Sequence, residues 1–323
     1  MSQPTQRSVH VNRPLTNISI AFMNRREDFI ADKVFPAISV SKQSDLYYIY
    51  NKDAWFRSDA KKRGPGQESA GSGYEMTTGQ YFADVWALHK DVADQERANT
   101  DEPLDADRDA TEFVIEQILL RKEREWAAKY FTTGLWTGST TATDITVSPL
   151  WDATSSDPIK NIRLQARSMK RKTGRKPNVL IVSGSVDDAL RDNAAVLNRI
   201  SGGALPGNPA MVTPQLLAMA FDVEKYVVAE AIHNTGKEGQ AFVGAEIFGK
   251  HALLMYAEQS PGIRKPSAGY TFTWSGLLGG AAGVQMSKFR MEHLKSDRVE
   301  AEAAFDQKLI AADLGVFFAS VIS

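Results

Sequence analysis

The sequence predicts an α+β protein of two lobes, with an N-terminal arm and a long two-stranded β-ribbon added to them, on three observations. One long helical segment runs from Asp105 to Phe131, a strand-turn-helix unit follows Lys176, and aromatic strand-like segments flank a polar stretch rich in Gly and Pro. The length of 323 residues corresponds to about two domains at roughly 150 residues each.

The arm covers residues 1–45. It is polar at first and then carries Phe29-Ile30, Val34-Phe35 and Ile38 around Pro36. These apolar groups have no partner segment of their own and are expected to need another surface, such as a neighbouring molecule. The ribbon covers residues 46–92. Leu46 to Phe56 and Tyr74 to about Leu88 read as its two β-rich sides, joined through Lys61-Lys62-Arg63-Gly64-Pro65-Gly66 and Ser69 to Gly73. A two-stranded ribbon alone is marginal in water, so its aromatic side chains are expected to be covered by another subunit.

Residues 93–175 hold two helices. The first has Asp105, Asp107 and Asp109 near its start, where carboxylates suit the helix dipole, and a stripe of Val114, Ile115, Ile118, Leu119, Trp126 and Tyr130. The second is punctuated by Asp157 as N-cap, Pro158 at the first position and Thr173-Gly174 as stop. Residues 176–283 form an α+β lobe: the buried strand Val179 to Val182, a capping-box pattern at Ser185 with Asp188, a short helix opened by Thr213-Pro214, and strands near Tyr226 and Ala252. In residues 284–323, Val299, Ala301, Ala303 and Phe305 alternate with Glu300, Glu302 and Asp306, which is a strand with one covered face. Val284 to Lys295 is expected to pair with it across Ser296-Asp297.

Composition narrows the functional classes. Hydrophobic content of 43% and charged content of 24% are those of an ordinary folded protein. No apolar run approaches the roughly 18 residues that cross a bilayer, and the polar start, Met1 to Asn12, predicts a chain that stays in the cytoplasm where it is made. The absence of cysteine removes disulfides and thiolate chemistry. With 38 basic against 39 acidic side chains, the chain as a whole has no field to gather polyanions, and near-neutrality suits a molecule that packs against copies of itself.

No catalytic, cofactor-binding or metal residues can be assigned. Gly244 to His251 fits a phosphate-loop spacing, but His251 stands where Ser or Thr should hold magnesium, and Ile247-Phe248 reads as core. Asn234 to Lys237 fails because Ala231 replaces the first glycine. His10, His89, His233, His251 and His293 are scattered without helical pairing. Ser183-Gly184-Ser185 sits where a nucleophile elbow would, yet Ser185 reads as a helix cap, and Glu112 and Glu116 read as a solvated helix face. The run Arg167, Lys170, Arg171, Lys172, Arg175 and Lys176 reads first as a solvated helix end, with phosphate contact as the alternative.

The order of parts resembles the major capsid proteins of tailed bacteriophages, with the Hong Kong 97-type capsid fold. The residues that carry the resemblance are Pro14 to Ser19 and Phe29 to Pro36, Tyr47 to Tyr50, Glu112 to Phe131, and Lys176 to Ile181. It implies an N-arm (1–45), an extended loop (46–92), a peripheral domain with its spine helix (93–175), an axial domain (176–283) and C-terminal strands completing these domains (284–323). It further implies self-assembly through pentamers and hexamers into a virion shell around double-stranded DNA. Scaffolding, portal and decoration proteins are the partners implied, with weak non-specific DNA contact and no cofactor or membrane. Candidate inter-subunit contacts are Phe29, Phe35, Tyr48, Tyr50, Trp55, Phe56, Lys61, Lys62, Arg63, Tyr81 and Trp86. Some relatives crosslink a ribbon lysine to a neighbour's asparagine; such a crosslink at Lys61 or Lys62 is not expected. An encapsulin-type compartment of the same fold, or an enzyme acting as a small oligomer, are the alternatives.

Overall fold

A computed structural model of the chain describes residues 23–100, 104–201, 212–262, 265–276 and 284–323. The arm segment Pro14 to Ser19 lies outside the described residues. From Met23 the arm passes through a short turn into α1 (Ala31–Val34) and β1 (Ala37–Val40). The ribbon follows as β2 (Ser44–Tyr50), α2 (Lys52–Trp55) and β3 (Met76–Phe82), and the chain then breaks at buried Ala83 into β4 (Asp84–Ala93). After α3 (Asp94–Asn99) comes the spine, α4 (Ala106–Tyr130), whose N-cap Asp105 accepts from the backbone N–H groups of Asp107 and Arg108.

The short β5 (Asp144–Ile145) precedes α5 (Pro158–Thr173). Asp157 accepts from Lys160 N at 2.9 Å, and Gly174 ends the helix at φ 72°, a conformation that favours glycine. Next are β6 (Val179–Ser183), α6 (Gly184–Asp192), α7 (Ala194–Ser201), α8 (Pro214–Phe221) and β7 (Lys225–Ala229). The hairpin β8 (Ile232–Asn234) and β9 (Gly244–Glu246) leads to β10 (Ala252–Met255), β11 (Gly269–Trp274), β12 (Val284–Met291), β13 (Ser296–Leu309) and β14 (Gly315–Phe318).

Two five-stranded sheets organise these elements. In the first, β13 runs antiparallel to β4 on one side and to β12 and then β11 on the other, with β1 parallel at the edge. The alternation expected for this strand is real: Val299, Ala301, Ala303 and Phe305 face α4, packing with Ala110, Val114 and Ile118. Met291 pairs with Ser296, so the β12–β13 turn is Glu292 to Lys295 and the tight turn expected at Ser296-Asp297 is shifted back. Lys295 takes the left-handed conformation that closes it.

The second sheet has the order β5-β14-β10-β6-β7, with parallel pairs at both ends. Strands β6, β10 and β14 are buried along their whole length. Ile145, Trp151, Ile159, Ile162 and Met169 pack into the same core as Leu180, Val182, Leu254 and Phe318. The boundary expected at residues 175/176 therefore falls inside one packed lobe, and β11, expected in that lobe, belongs to the other sheet. Contiguous sequence could not reveal this, because the cores are assembled from long-range strand pairs.

Two further expectations change. Trp55 closes a helical turn and Phe56 caps it; neither continues a strand, because Asn51 accepts from Asp53 N and starts a helix there. Ser183 caps α6 by accepting from Val186 N, while Ser185 donates to Glu246 instead.

Candidate subunit-contact surface

The ribbon strands β2 and β3 pair in full register from Ser44↔Phe82 to Tyr50↔Met76. Its base is held inside the subunit. Tyr47 and Tyr81 stack on Phe272 at centroid distances of 5.7 and 4.5 Å, and Phe82 N–H donates to Asp306 at 2.9 Å. Beyond this anchor the side chains lose cover. Tyr48 is 71% exposed, Phe56 66% and Trp55 54%, and Leu46, Tyr74 and Met76 are exposed with them. Tyr50, Trp55 and Tyr74 form a mutual cluster with centroids 5.7 to 6.3 Å apart. An apolar surface of this kind on a polar ribbon is what a covering partner would bury.

The tip rests on its own subunit at two points. Lys52 pairs with Asp313, and the Phe56 ring lies in the space left by Gly174 at the end of α5. Asp313 also accepts from the Thr137 hydroxyl at 2.6 Å and pairs with Lys172 at 2.9 Å. Burial opposes ionisation of Asp313, but Lys52, Thr137 and Lys172 outweigh it and hold its pKa at about 2. Lys61, Lys62 and Arg63 are exposed, and among the described residues none of them is in an ion pair.

Two proposed contacts are corrected. Phe35 is fully buried within the subunit, 5.5 Å from Trp126 and 5.0 Å from Tyr130 by ring centroid. Tyr81 is buried in the anchor just described, donating to Lys42 O. Neither has surface to offer a neighbour. Trp86 is half-buried under Arg121, whose guanidinium lies 4.4 Å from its ring centroid, and Phe29 and Tyr50 are also half-buried.

In the described part of the arm, Ile30, Ala31, Val34 and Phe35 are likewise covered internally, and a residue the sequence did not single out holds them there. Glu123, 1% exposed, accepts from Ile30 N–H and Ala31 N–H at 2.9 Å each, which caps α1 against the spine helix. Burial raises its pKa to about 7, against the lowering effect of those two N–H groups. The signal was its position: residues 123, 126, 127 and 130 lie three and four apart on the packed face of α4. Asn24 continues the arm by exchanging two hydrogen bonds with the backbone of Ile232. Glu116 is not on a solvated face as expected; burial pushes its carboxyl pKa up against hydrogen bonds with Asn24.

A groove of about 650 Å³ runs between the second half of α4 and the turn after β9, lined by Arg121, Arg124, His233, Glu246 and His251. The phosphate-loop spacing ends here as ordinary structure: Phe248 packs on Trp126 and Phe131 in the core, and His251 accepts from Ser320 N at 2.9 Å. Burial lowers the pKa of both histidines. Among the described residues, no group of three or more metal-ligating side chains converges.

With this geometry in hand, the fold is that of a capsid-shell protein of the Hong Kong 97 type. A phage-related protein of Bordetella bronchiseptica RB50 superposes with a TM-score of 0.67 at 19% identity, over 92% of this chain and 94% of that one. The capsid of cyanophage P-SCSP1u gives 0.58 at 11% identity over 98% of each chain. The SrpI encapsulin of Synechococcus elongatus PCC 7942 gives 0.56 at 12%, over 100% and 98%. In sequence the chain is similar over nearly all of its length to phage major capsid proteins. It is 24% identical over 320 residues to that of Burkholderia phage BcepMu, covering 96% of both. It is 23% identical over 313 residues to that of Pseudomonas phage JBD67, covering 97% of both. No family model matches the chain.

Proposed function

We propose that this chain is the major capsid subunit of a tailed phage, building a closed shell around double-stranded DNA from pentamers and hexamers of itself. The observation that carries the reading is the ribbon's exposed aromatic face, on a chain similar over nearly all of its length to phage capsid proteins. Each contact can be weak, because every subunit repeats the ribbon contact and closure adds avidity. Tyr48, Trp55 and Phe56, with the charges of Lys61, Lys62 and Arg63 nearby, are the residues through which the ribbon meets a neighbour. The working role is structural, and no catalytic step is assigned to it. The particle belongs to the virion and is assembled in the host cytoplasm, with scaffolding, portal or decoration proteins as further partners.

Electron microscopy of the purified chain tests this. Rings of five or six subunits, or closed shells, are the expected result; a chain that stays monomeric under every assembly condition contradicts it. The encapsulin likeness is one of fold, and the contents of particles made in cells separate the two readings. Nuclease-protected DNA supports a phage capsid, whereas a co-purifying folded protein inside the shell supports a compartment.

A further inference from the structure

Helix α5 carries a concentration of charge that the fold does not neutralise. Ile159, Ile162 and Met169 face the core of the lobe, while Lys160, Arg163, Arg167, Lys170 and Arg171 are exposed. At 3.6 residues per turn these five fall within an arc of about 100° and along roughly 16 Å of helix. The first turn holds no acidic residue. Among the described residues none of the five forms an ion pair or a side-chain hydrogen bond, whereas Lys172 and Lys176 at the same helix end pair with Asp313 and Asp222. At the edge of the first sheet, by contrast, charge is matched locally: Arg97, Lys288 and Arg290 share Asp94, Asp107 and Asp297. In a chain with 38 basic and 39 acidic side chains, five adjacent uncompensated cations are a segregated feature.

Spacings of three and four along the stripe place like charges side by side, which destabilises the free helix and would be relieved by an anion. Leu164 is the one exposed large apolar side chain of this helix, so the face lacks the apolar centre of a protein interface. It also lacks aromatics on which bases could stack. A linear row of cations without either fits a linear lattice of phosphates, which duplex DNA supplies at one charge per roughly 1.7 Å of axis.

We infer that the exposed face of α5 meets the phosphate backbone of nucleic acid inside the shell, which makes it the inward-facing surface of the subunit. The inference rests on the capsid reading above and adds a site and an orientation to it. Contact is independent of base sequence and weak per subunit, and the shell repeats it over every copy.

The test uses the full chain kept unassembled, with a short labelled duplex DNA as probe, and cryo-electron microscopy of assembled shells. Two variants are compared with the unaltered chain. One combines K160Q, R163Q, R167Q, K170Q and R171Q, since Gln keeps helix propensity; the other combines R163K, R167K and R171K. The unaltered chain and the Lys variant are expected to bind with a log-log salt slope of about −4 to −5, a loss of roughly 500-fold between about 50 and 200 mM salt. The Gln variant, folded by circular dichroism, is expected to lose that slope and at least tenfold in affinity at about 50 mM salt. Unchanged affinity and slope in the Gln variant would overturn the inference. So would shells with α5 on their outer face, or a Gln variant that binds DNA normally and fails to assemble, which would assign the stripe to subunit contact. If the unaltered chain forms no shell, the capsid reading falls and the inward placement falls with it, whatever the duplex result.

Discussion

The sheet containing β6 and β10 and the ribbon β2–β3 are both rich in apolar residues, yet they end in opposite environments. Leu180, Val182 and Leu254 are covered by α5, α6 and α8 on one face, while Ile181, Leu253 and Met255 are covered on the other by a core that includes Trp126 and Phe131. Among the described residues Tyr48, Trp55 and Met76 have no second layer over them and remain exposed. The difference lies in what the same molecule can bring over a β-surface, and hydrophobicity alone does not predict it. The proposed assembly would supply, from another copy, the layer that these side chains lack among the described residues.

Substitutions on the two sides should therefore part stability from assembly. Trp126→Ala, emptying a fully buried site, is expected to destabilise the subunit by about 3–5 kcal/mol in denaturant melts. Trp55→Ser should move the same midpoint by under about 1 kcal/mol while abolishing assembly by sedimentation. Comparable losses of stability in both would erase the distinction.

Glu123→Ala comes next, at about 2–3 kcal/mol, because it leaves the N–H groups of Ile30 and Ala31 buried without an acceptor. Its pH dependence has a definite sign. The folded pKa of about 7 lies above the ordinary value of 4.5, so the folded chain binds the extra proton between these limits. The contribution is fully present below about 4.5 and is lost as pH rises to about 7. Glu123→Gln should flatten the stability profile across that window; an unchanged slope would remove Glu123 as its source.

Asp313→Asn tests where the ribbon tip rests and should have a smaller effect, under about 1 kcal/mol, since the ion pairs are partly solvated. Here the sign is reversed: a pKa lowered to about 2 gives stability above the ordinary carboxylate value of 3.8 that disappears as pH falls through 2. Faster proteolysis near Lys52 in the variant would mark the released tip. The smallest effect is expected for Arg108→Ala, whose exposed pair with Glu112 at 3.0 Å should be worth about 0.3 kcal/mol.

Legibility followed locality. Asp157, Pro158 and Gly174 delimit α5 correctly, and Thr213-Pro214 opens α8, since caps act within one turn. The alternation in β13 was also readable, because its period is set by the pleat. What sequence could not supply was the identity of the covering surface. Phe35 and Tyr81 looked like candidates for a neighbour and are covered from within, by α4 and by Phe272, which lie far along the chain. Trp55 reads as strand by propensity and is helical because Asn51 supplies a cap. For Glu123, the helical register placed a carboxylate on the packed face, but only the folded arm reveals the two N–H groups that it satisfies.

The central claim, that the ribbon's exposed aromatics are covered by other copies of the chain, is tested most directly by sedimentation velocity on the unaltered protein beside the Trp55→Ser/Phe56→Ser double variant. The account predicts rings or shells for the first and a folded, unassembled subunit for the second. Assembly of the double variant to the same particles at the same concentration would contradict it.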